Sequence, residues 1–270
     1  MPGGAPLLGA VLILATLTPG AAMAGPWTMP KGKGQVIVKY EDMRADEGFD
    51  PAGDPRPLWG EQRDRALRSF SEYGLTDRLT LQLKADWEQG EDAFGGYDGR
   101  GPIEVGATWQ VWRDDRGAVS VYAGYASNGD GRNALYADPG IGKEDVEIRV
   151  SAGRSFNGAF GMSPRRAPDH SFAEVQVAGR SRDGLPNEIR IDATVGAHFG
   201  DRWMLMGQAF AGRADEGFAP GAPGARWLSL ETTLVRHFGP WSVQGGWRQA
   251  VAGRDAPVSR GPVLAVWRRF

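Results

Sequence analysis

The sequence predicts an all-β fold, an antiparallel transmembrane β-barrel of about twelve strands. The first observation is a strict two-residue alternation, clearest from Ile189 to Phe199, where the odd positions are Ile, Ile, Ala, Val, Ala and Phe. The even positions from Glu188 to His198 are Glu, Arg, Asp, Thr, Gly and His. Because side chains alternate faces along a strand, one face is apolar and the other is mostly polar. The second observation is that this pattern recurs in segments of about ten residues between turns, as in transmembrane barrels.

The third observation is an export leader predicted over residues 1–24, which carry no charged side chain. Leu7 to Thr18 is an apolar run as long as a signal-peptide core, and Ala22-Met23-Ala24 is typical of a signal-peptidase site. The mature chain, residues 25–270, is therefore predicted to be the barrel. No later segment of the sequence is apolar enough for a spanning helix of about 20 residues, so any membrane passage must use strands.

Composition excludes some classes of function. The chain has 270 residues, 40 glycines and no cysteine, so disulfides cannot contribute to its stability. The formal net charge is -2, and no stripe of Lys and Arg is present in the sequence. Nucleic acid is therefore not predicted as a partner.

The strands of the N-terminal half follow a short lead-in, Gly25 to Lys33, predicted to lie in the periplasm. Residues 34–44 form the first predicted strand. The second, 65–75, alternates poorly, and the tight turn Thr76-Asp77 follows it. The third to sixth strands alternate clearly, and a set of apolar residues occupies one face of each. In order, these sets are Leu79, Leu81, Leu83, Ala85 and Trp87; Ile103, Val105, Ala107, Trp109 and Val111; Val119, Val121, Ala123 and Tyr125; and Val146, Ile148, Val150 and Ala152.

The C-terminal half continues in the same way. The seventh strand has Ala173, Val175 and Val177 on one face, and the turn Asp183-Gly184 leads into the eighth, residues 188–199. The remaining strands are separated by the turns Gly200-Asp201 and Gly239-Pro240 and by polar or Pro-rich loops. They are predicted over residues 202–212, 226–238, 241–251 and 261–270.

The connections show the length pattern of an outer-membrane barrel, with short periplasmic turns and longer outer loops. The predicted tight periplasmic turns are 76–77, 114–117, 200–201 and 239–240. The predicted long outer loops are 46–64, 90–101, 127–143, 213–225 and 252–260. Two connections break the pattern, because 157–169 is long and 183–184 is short. Aromatic residues at the predicted periplasmic strand ends indicate an interfacial girdle: Trp112, Phe156, Phe199, Trp203, Phe238, Trp241 and Phe270.

Two local features resemble Gram-negative outer-membrane barrel proteins. The terminal Phe270, preceded by Val266 and Leu264 on the same face, resembles the signal read by the barrel-assembly machinery, although Arg268 departs from the usual apolar residue. The segment Tyr73-Gly74-Leu75-Thr76-Asp77-Arg78-Leu79-Thr80-Leu81 resembles a turn in uncharacterised proteobacterial barrels described as transporters. The resemblance implies an outer-membrane location, with membrane lipid and the assembly machinery as partners. It supplies no substrate.

The polar face carries charges of both signs. Charges facing an apolar core would be very costly, so this face must meet water or its own partners. We therefore predict that a set of charged residues lines the lumen: Lys84, Asp86, Glu88, Glu104, Glu147, Arg149, Glu174, Arg180, Glu188, Arg190, Asp192, Glu231 and Arg248. Two function classes follow from this face. One is a passive channel or transporter for small solutes, and the other is a structural or adhesion barrel, filled by ion pairs and acting through its outer loops.

An enzyme is not predicted. A lipid hydrolase in the outer membrane would need a Ser/His pair, but His170 and Ser171 are neighbours that point to opposite faces, and no serine is expected beside His198. No glycine motif for a nucleotide cofactor opens a helix. The segment Asn128-Gly129-Asp130-Gly131 faintly resembles a calcium loop, but Arg132 stands where an oxygen ligand is needed. No cofactor and no metal are therefore predicted.

Overall fold

A computed structural model describes residues 25–127, 129, 144–157, 170–199, 202–215 and 224–270. The predicted leader, residues 1–24, and most or all of the predicted connections 127–143, 157–169, 200–201 and 213–225 lie outside the described residues. The strands are β1 Gly34–Phe49, β2 Pro55–Thr76, β3 Leu79–Asp92, β4 Gly95–Arg113, β5 Gly117–Ser127, β6 Glu144–Asn157, β7 His170–Arg182, β8 Glu188–Phe199, β9 Trp203–Ala214, β10 Arg226–Phe238, β11 Trp241–Arg254, β12 Ala256–Pro257 and β13 Arg260–Arg269. Within the described ranges, no helix is long and apolar enough to cross a membrane.

The strands close into one antiparallel barrel. Each strand from β2 to β10 pairs with the strands before and after it in the chain, and β11 pairs with β10 and β13. β1 pairs with both β2 and β13, which joins the two ends of the sheet. The two-residue β12 only extends the far end of β1. Each of the twelve long strands is therefore paired on both sides along most of its length, as a barrel that crosses a membrane requires. The predicted fold class is confirmed.

The outer face of the wall is apolar in the predicted register. Val150 on β6, Val177 on β7 and Ile191 on β8 lie directly opposite one another, and each is about half exposed. The residues next to them along the strands, such as Ser151 and Ala178, are buried. An exposed apolar belt around a closed barrel is a surface that the hydrocarbon of a bilayer stabilises.

The other face is the inside of the barrel, because its side chains meet across it. Lys39 on β1 contacts Glu231 on β10 at 3.0 Å, although β13 and β11 separate these strands in the wall. The charged face predicted from the alternation is therefore enclosed.

Two predicted loops are wrong. Residues 46–64 and 90–101 mostly continue the strands, so the connections shrink to 50–54 and 93–94. These polar, Gly- and Pro-rich segments have low strand propensity, but pairing across each hairpin satisfies their backbone groups. Pro55 and Pro57 are tolerated because this part of β2 pairs only with β1, and pairing with β3 begins at Arg63. The predicted loop 252–260 is likewise shortened by the end of β11 and by β12.

The predicted periplasmic lead-in enters the barrel at the end where β1 begins and β13 ends. Thr28 Oγ1 donates to the Asp77 carbonyl oxygen at 2.8 Å, and the Pro26 carbonyl accepts a 3.0 Å hydrogen bond from Gln110. The ring of Trp27 packs edge-on against another interior ring, with centroids 6.2 Å apart. The lead-in is therefore part of the barrel interior and does not extend away from it.

Candidate channel interior

The structure places the predicted charged set on the inner face, and most of its members contact one another. We call the first group the β4–β8 cluster, built around Glu104, Glu147 and Arg180. Arg180 Nη2 donates to Glu104 Oε2 and to Glu147 Oε2, both at 2.6 Å. Lys84 Nζ donates to Glu104 Oε1 at 2.6 Å. Each of these carboxylates therefore accepts hydrogen bonds from at least two cations.

The β4–β8 cluster extends towards β8. Arg149 and Arg190 both pair with Glu147. Arg190 Nε also lies 3.5 Å from Glu188 Oε1, and Arg182 Nη1 lies 3.2 Å from Glu188 Oε2. The result is a continuous chain of alternating charges along the inner wall.

Tyr122 supports this cluster from β5. Its hydroxyl donates to Glu104 Oε1 at 2.7 Å, and the Arg149 guanidinium lies 4.7 Å from the ring centroid. The ring fits because its neighbours are glycines. Gly106 and Gly124 are directly opposite each other, and a Cβ on either would overlap the Tyr122 ring.

A second group, which we call the β1–β11 cluster, occupies another part of the wall. Lys39 Nζ lies 3.0 Å from both Glu41 Oε1 and Glu231 Oε2. Arg248 Nη2 lies 3.0 Å from Glu41 and 2.6 Å from Glu231. Arg68 Nε donates to Glu41 Oε2 at 3.0 Å. Two carboxylates are thus shared among three cations.

The strand β3 connects the two clusters. Arg68 Nη1 lies 2.9 Å from Asp86 Oδ2, and Asp86 follows Lys84 by two residues on the same face. The remaining predicted positions lie near the clusters: Glu88 and Asp192 are half-buried, and the buried Glu174 accepts a 3.1 Å hydrogen bond from Gln176. Their role in lining a solute path stays a prediction.

In each cluster some of the cations are more accessible than the carboxylates that they bind, whereas Arg180 and Arg182 are buried. The Arg68 side chain is 45% exposed and the Lys84 side chain 30% exposed. Their partners Glu41 and Glu104 are 5% and 4% exposed. The most accessible charges of the two clusters are therefore cationic, although the clusters contain charges of both signs.

A cluster of apolar side chains occupies the barrel interior at the end where β1 begins and β13 ends, next to the lead-in. Its buried members come from β7, β9, β10 and β13, and Trp27 and Ile37 pack against it. The buried members are Phe172, Met204, Met206, Val235, Ala265 and Trp267. This end of the lumen is narrowed by apolar side chains and lacks the cluster charges.

The histidines form contacts that the sequence analysis missed. His237 Nδ1 lies 2.8 Å from the Ser242 hydroxyl, and the rings of His198 and His237 stack with centroids 5.7 Å apart. The tight turn at 239–240 makes His237 and Ser242 direct cross-strand partners, so their contact was predictable from the sequence. Ser171 lies near His198, although it is not its direct cross-strand partner: the backbone N–H of His198 donates to Ser171 Oγ at 3.2 Å. Ser242 is fully buried, which leaves no access for a substrate to its hydroxyl.

No metal site is visible among the residues that the structure describes, because none of their His, Asp and Glu side chains form a group of three or more suited to an ion. The segment with a faint likeness to a calcium loop lies almost wholly outside the described residues.

Solved structures with the same architecture include bacterial outer-membrane channels. The chain is similar to the COG4313 outer membrane channel from Pseudomonas putida F1, with a TM-score of 0.70 and 15% sequence identity over 91% of this chain and 98% of that one. It is also similar to the NanC porin, with a TM-score of 0.53 and 9% identity over 86% of this chain and 98% of that one. The fold is that of a Gram-negative outer-membrane β-barrel.

A third solved structure with a similar fold is titled neither a channel nor a porin. The translocator domain of the autotransporter NalP from Neisseria meningitidis matches with a TM-score of 0.51 and 12% identity, over 90% of each chain. No protein-family model and no curated protein matches the sequence. The features that bear on function therefore lie in the interior of this outer-membrane barrel.

Several interior residues of the outer-membrane barrel were missed by the sequence analysis. Lys39 and Glu41 alternate with outward Val38 and Tyr40, so their inward direction was predictable from strand periodicity. Tyr122 was likewise on the inner face of a clear strand. The apolar cluster was also detectable in principle, because Met204 and Met206 occupy inward positions where other strands carry polar residues.

Proposed function

We propose that this chain is an outer-membrane channel that passes small solutes passively. The observation that supports it most directly is the group of cationic side chains that remain partly exposed inside a closed barrel, with Arg68 the most accessible member of the two clusters. A wholly filled core would bury both members of each ion pair. Similarity in fold to one protein titled an outer membrane channel and to one titled a porin supports the same function.

The proposed channel favours small anions over cations. Charged side chains that line a pore set its selectivity, and the more exposed partner of each pair acts most strongly on a passing ion. Lys84 and Arg68 cover carboxylates that are nearly inaccessible. Because those carboxylates still cancel much of the field at a distance, the preference is moderate.

Conductance of purified protein in planar bilayers tests this function. We expect small, stable current steps and a reversal potential that indicates a preference for anions. Arg68→Gln should shift the reversal potential towards cations, because it removes an accessible lumen charge. The matched control is Arg65→Gln on the same strand, where the side chain lies on the outer face and should leave selectivity unchanged. Absence of current steps from a demonstrably folded barrel would overturn the proposal.

The second candidate is a structural or adhesion barrel that acts through its outer loops. The observation in its favour is the apolar cluster with Trp27, which occupies one end of the lumen. On this alternative, neither the native chain nor a variant with a smaller side chain at position 27 would conduct. The same bilayer recordings therefore separate the two functions.

Location and assembly complete the proposal. The apolar belt would face outer-membrane lipid, and the exposed ring of Phe270 would be available to the barrel-assembly machinery before the strand β13 pairs with β1. Residues 1–24 would direct export and be removed. Fractionation of cells would place the protein with the outer membrane, and recovery in the soluble periplasm would contradict this.

A further inference from the structure

Three arginines are stacked across neighbouring strands on the outer face of the barrel. Arg226 on β10 is directly opposite Arg213 on β9 and directly opposite Arg254 on β11. Arg226 shares its strand face with the exposed Leu230, and Arg213 shares its face with the exposed Leu205, so these side chains are directed outwards. Like charges that are directly opposite destabilise a pair of strands. A negatively charged group bound to this row of three arginines would therefore stabilise it.

The chain does not supply that charge within the described residues. Other arginines on the outer face of the barrel do pair with carboxylates: Arg63 lies 2.6 Å from Asp42, and Arg260 lies 3.5 Å from Asp46. No described carboxylate forms an ion pair with any of the three stacked arginines. Among the residues that the structure describes, no carboxylate therefore offsets the positive charge of the row.

The position of the row relates it to the membrane. It lies at the end of the barrel opposite the chain's C-terminal strand end, which is the outer end when the tight turns are periplasmic. Immediately below it on the same face are the exposed apolar side chains of Leu230, Trp247 and Val251. Guanidinium groups directly above an apolar belt lie where lipid headgroups meet acyl chains.

We propose that Arg213, Arg226 and Arg254 bind the phosphate groups of an anionic lipid in the outer leaflet of the membrane. Guanidinium groups bind phosphate through two parallel N–H···O bonds, and a lipid with more than one phosphate can span neighbouring arginines. The acyl chains of that lipid pack against the belt around Leu230. The site is independent of solute passage through the lumen.

Native mass spectrometry of the full mature chain in detergent micelles tests the site, with diphosphorylated lipid A as the probe. We expect the native chain to retain this lipid about tenfold or more better than the same lipid without its phosphates. Arg213→Gln/Arg226→Gln/Arg254→Gln should remove that difference. Inorganic phosphate alone should not bind measurably, and binding as strong as that of the lipid would overturn the assignment to a lipid headgroup.

A matched variant controls for net charge. Arg78→Gln/Arg113→Gln/Arg116→Gln removes three exposed arginines from the opposite end of the barrel and should leave lipid retention unchanged. An equal loss in both triple variants would refute a specific site. The triple variant at Arg213, Arg226 and Arg254 should also remain folded, because it removes repulsion between opposed charges. In micelles without anionic lipid we expect its unfolding midpoint to equal or exceed that of the native chain.

Discussion

Arg180 on β7 donates a 2.6 Å hydrogen bond to Glu104 on β4, although β5 and β6 lie between these strands in the barrel wall. Both side chains are 4% exposed. Arg180 also binds Glu147 on β6 at 2.6 Å, so one guanidinium holds carboxylates from two strands. Such a contact restricts the curvature of this half of the wall, in addition to the backbone ladder.

Replacement of Arg180 should strongly destabilise the barrel. Arg180→Met leaves two buried carboxylates with one cation fewer, and breaking a buried ion pair from one side costs about 3–5 kcal/mol. Urea unfolding in lipid vesicles measures the change in the free energy of unfolding. The exposed Arg116 in a turn provides the control, and Arg116→Met should change it by roughly 0.5 kcal/mol or less. Equal effects at the two positions would contradict the buried network.

The stability of the barrel should depend on the space that Gly124 leaves for the Tyr122 ring. Gly124→Ala places a Cβ where the Tyr122 ring lies, so the ring must shift away from Glu104, and overpacking of this kind costs about 1–3 kcal/mol. Gly179→Ala is the control, because a Cβ there meets no atom within 4 Å. Thermal unfolding of both variants checks the difference. A neutral Gly124→Ala would show that the ring position is not restricted.

Removal of the Trp27 ring should widen the apolar end of the lumen. Apolar constrictions control conduction by excluding water, so Trp27→Ala should raise single-channel conductance by roughly twofold. The control is Trp241→Ala, which removes an outward ring at the same end of the barrel. Planar-bilayer recordings give both values. Unchanged conductance in Trp27→Ala would place the narrowest part of the path elsewhere.

Charge on the apolar belt should destabilise the barrel in lipid. Val177 is 47% exposed and is flanked by the apolar Val150 and Ile191 on the neighbouring strands. Val177→Arg should lower the free energy of unfolding by about 2–4 kcal/mol if the position lies at the bilayer midplane. Val177→Leu keeps the belt apolar and should be nearly neutral. Equal stability of the two variants in vesicles would mean that this face does not meet lipid.

The turn between β4 and β5 should contribute stability that depends on pH. Asp114 Oδ1 accepts hydrogen bonds from the backbone N–H groups of Arg116 and Gly117, which lower the pKa of its carboxyl below the ordinary value of 3.8. A lowered pKa in the folded state means that this contribution is present above about pH 4 and is lost as the pH falls through the folded-state pKa.

Thermal midpoints measured as a function of pH check this dependence. The difference between the native chain and Asp114→Asn should be constant from pH 7 to about pH 5 and should narrow at lower pH. Asp115→Asn, at the next position in the turn, is the control and should follow the native curve. A difference for Asp114→Asn that widens as the pH falls would contradict the assigned hydrogen bonds.

The parts of β1 to β4 that continue beyond the predicted strand ends were the hardest part of the wall to predict. Residues 46–64 and 90–101 have the composition of loops, yet most of them are strand. Their pairing depends on a partner strand brought alongside by a short connection, as where Asp50 Oδ1 accepts the N–H groups of Ala52 and Asp54 at 2.9 Å. Local propensity does not contain that information.

The sequence by itself determined the class of fold, the approximate strand number and the direction of the side chains in the strands that alternate clearly. Alternation has a period of two residues, and lipid outside with polar groups inside imposes it on each strand separately. Only the tertiary structure decided which interior charges meet. Lys39 and Glu231 are 192 residues apart in the chain, and their contact depends on closure of the barrel. The same closure brings the lead-in inside the barrel, because its backbone and Trp27 bind groups that come together only when distant strands close around them.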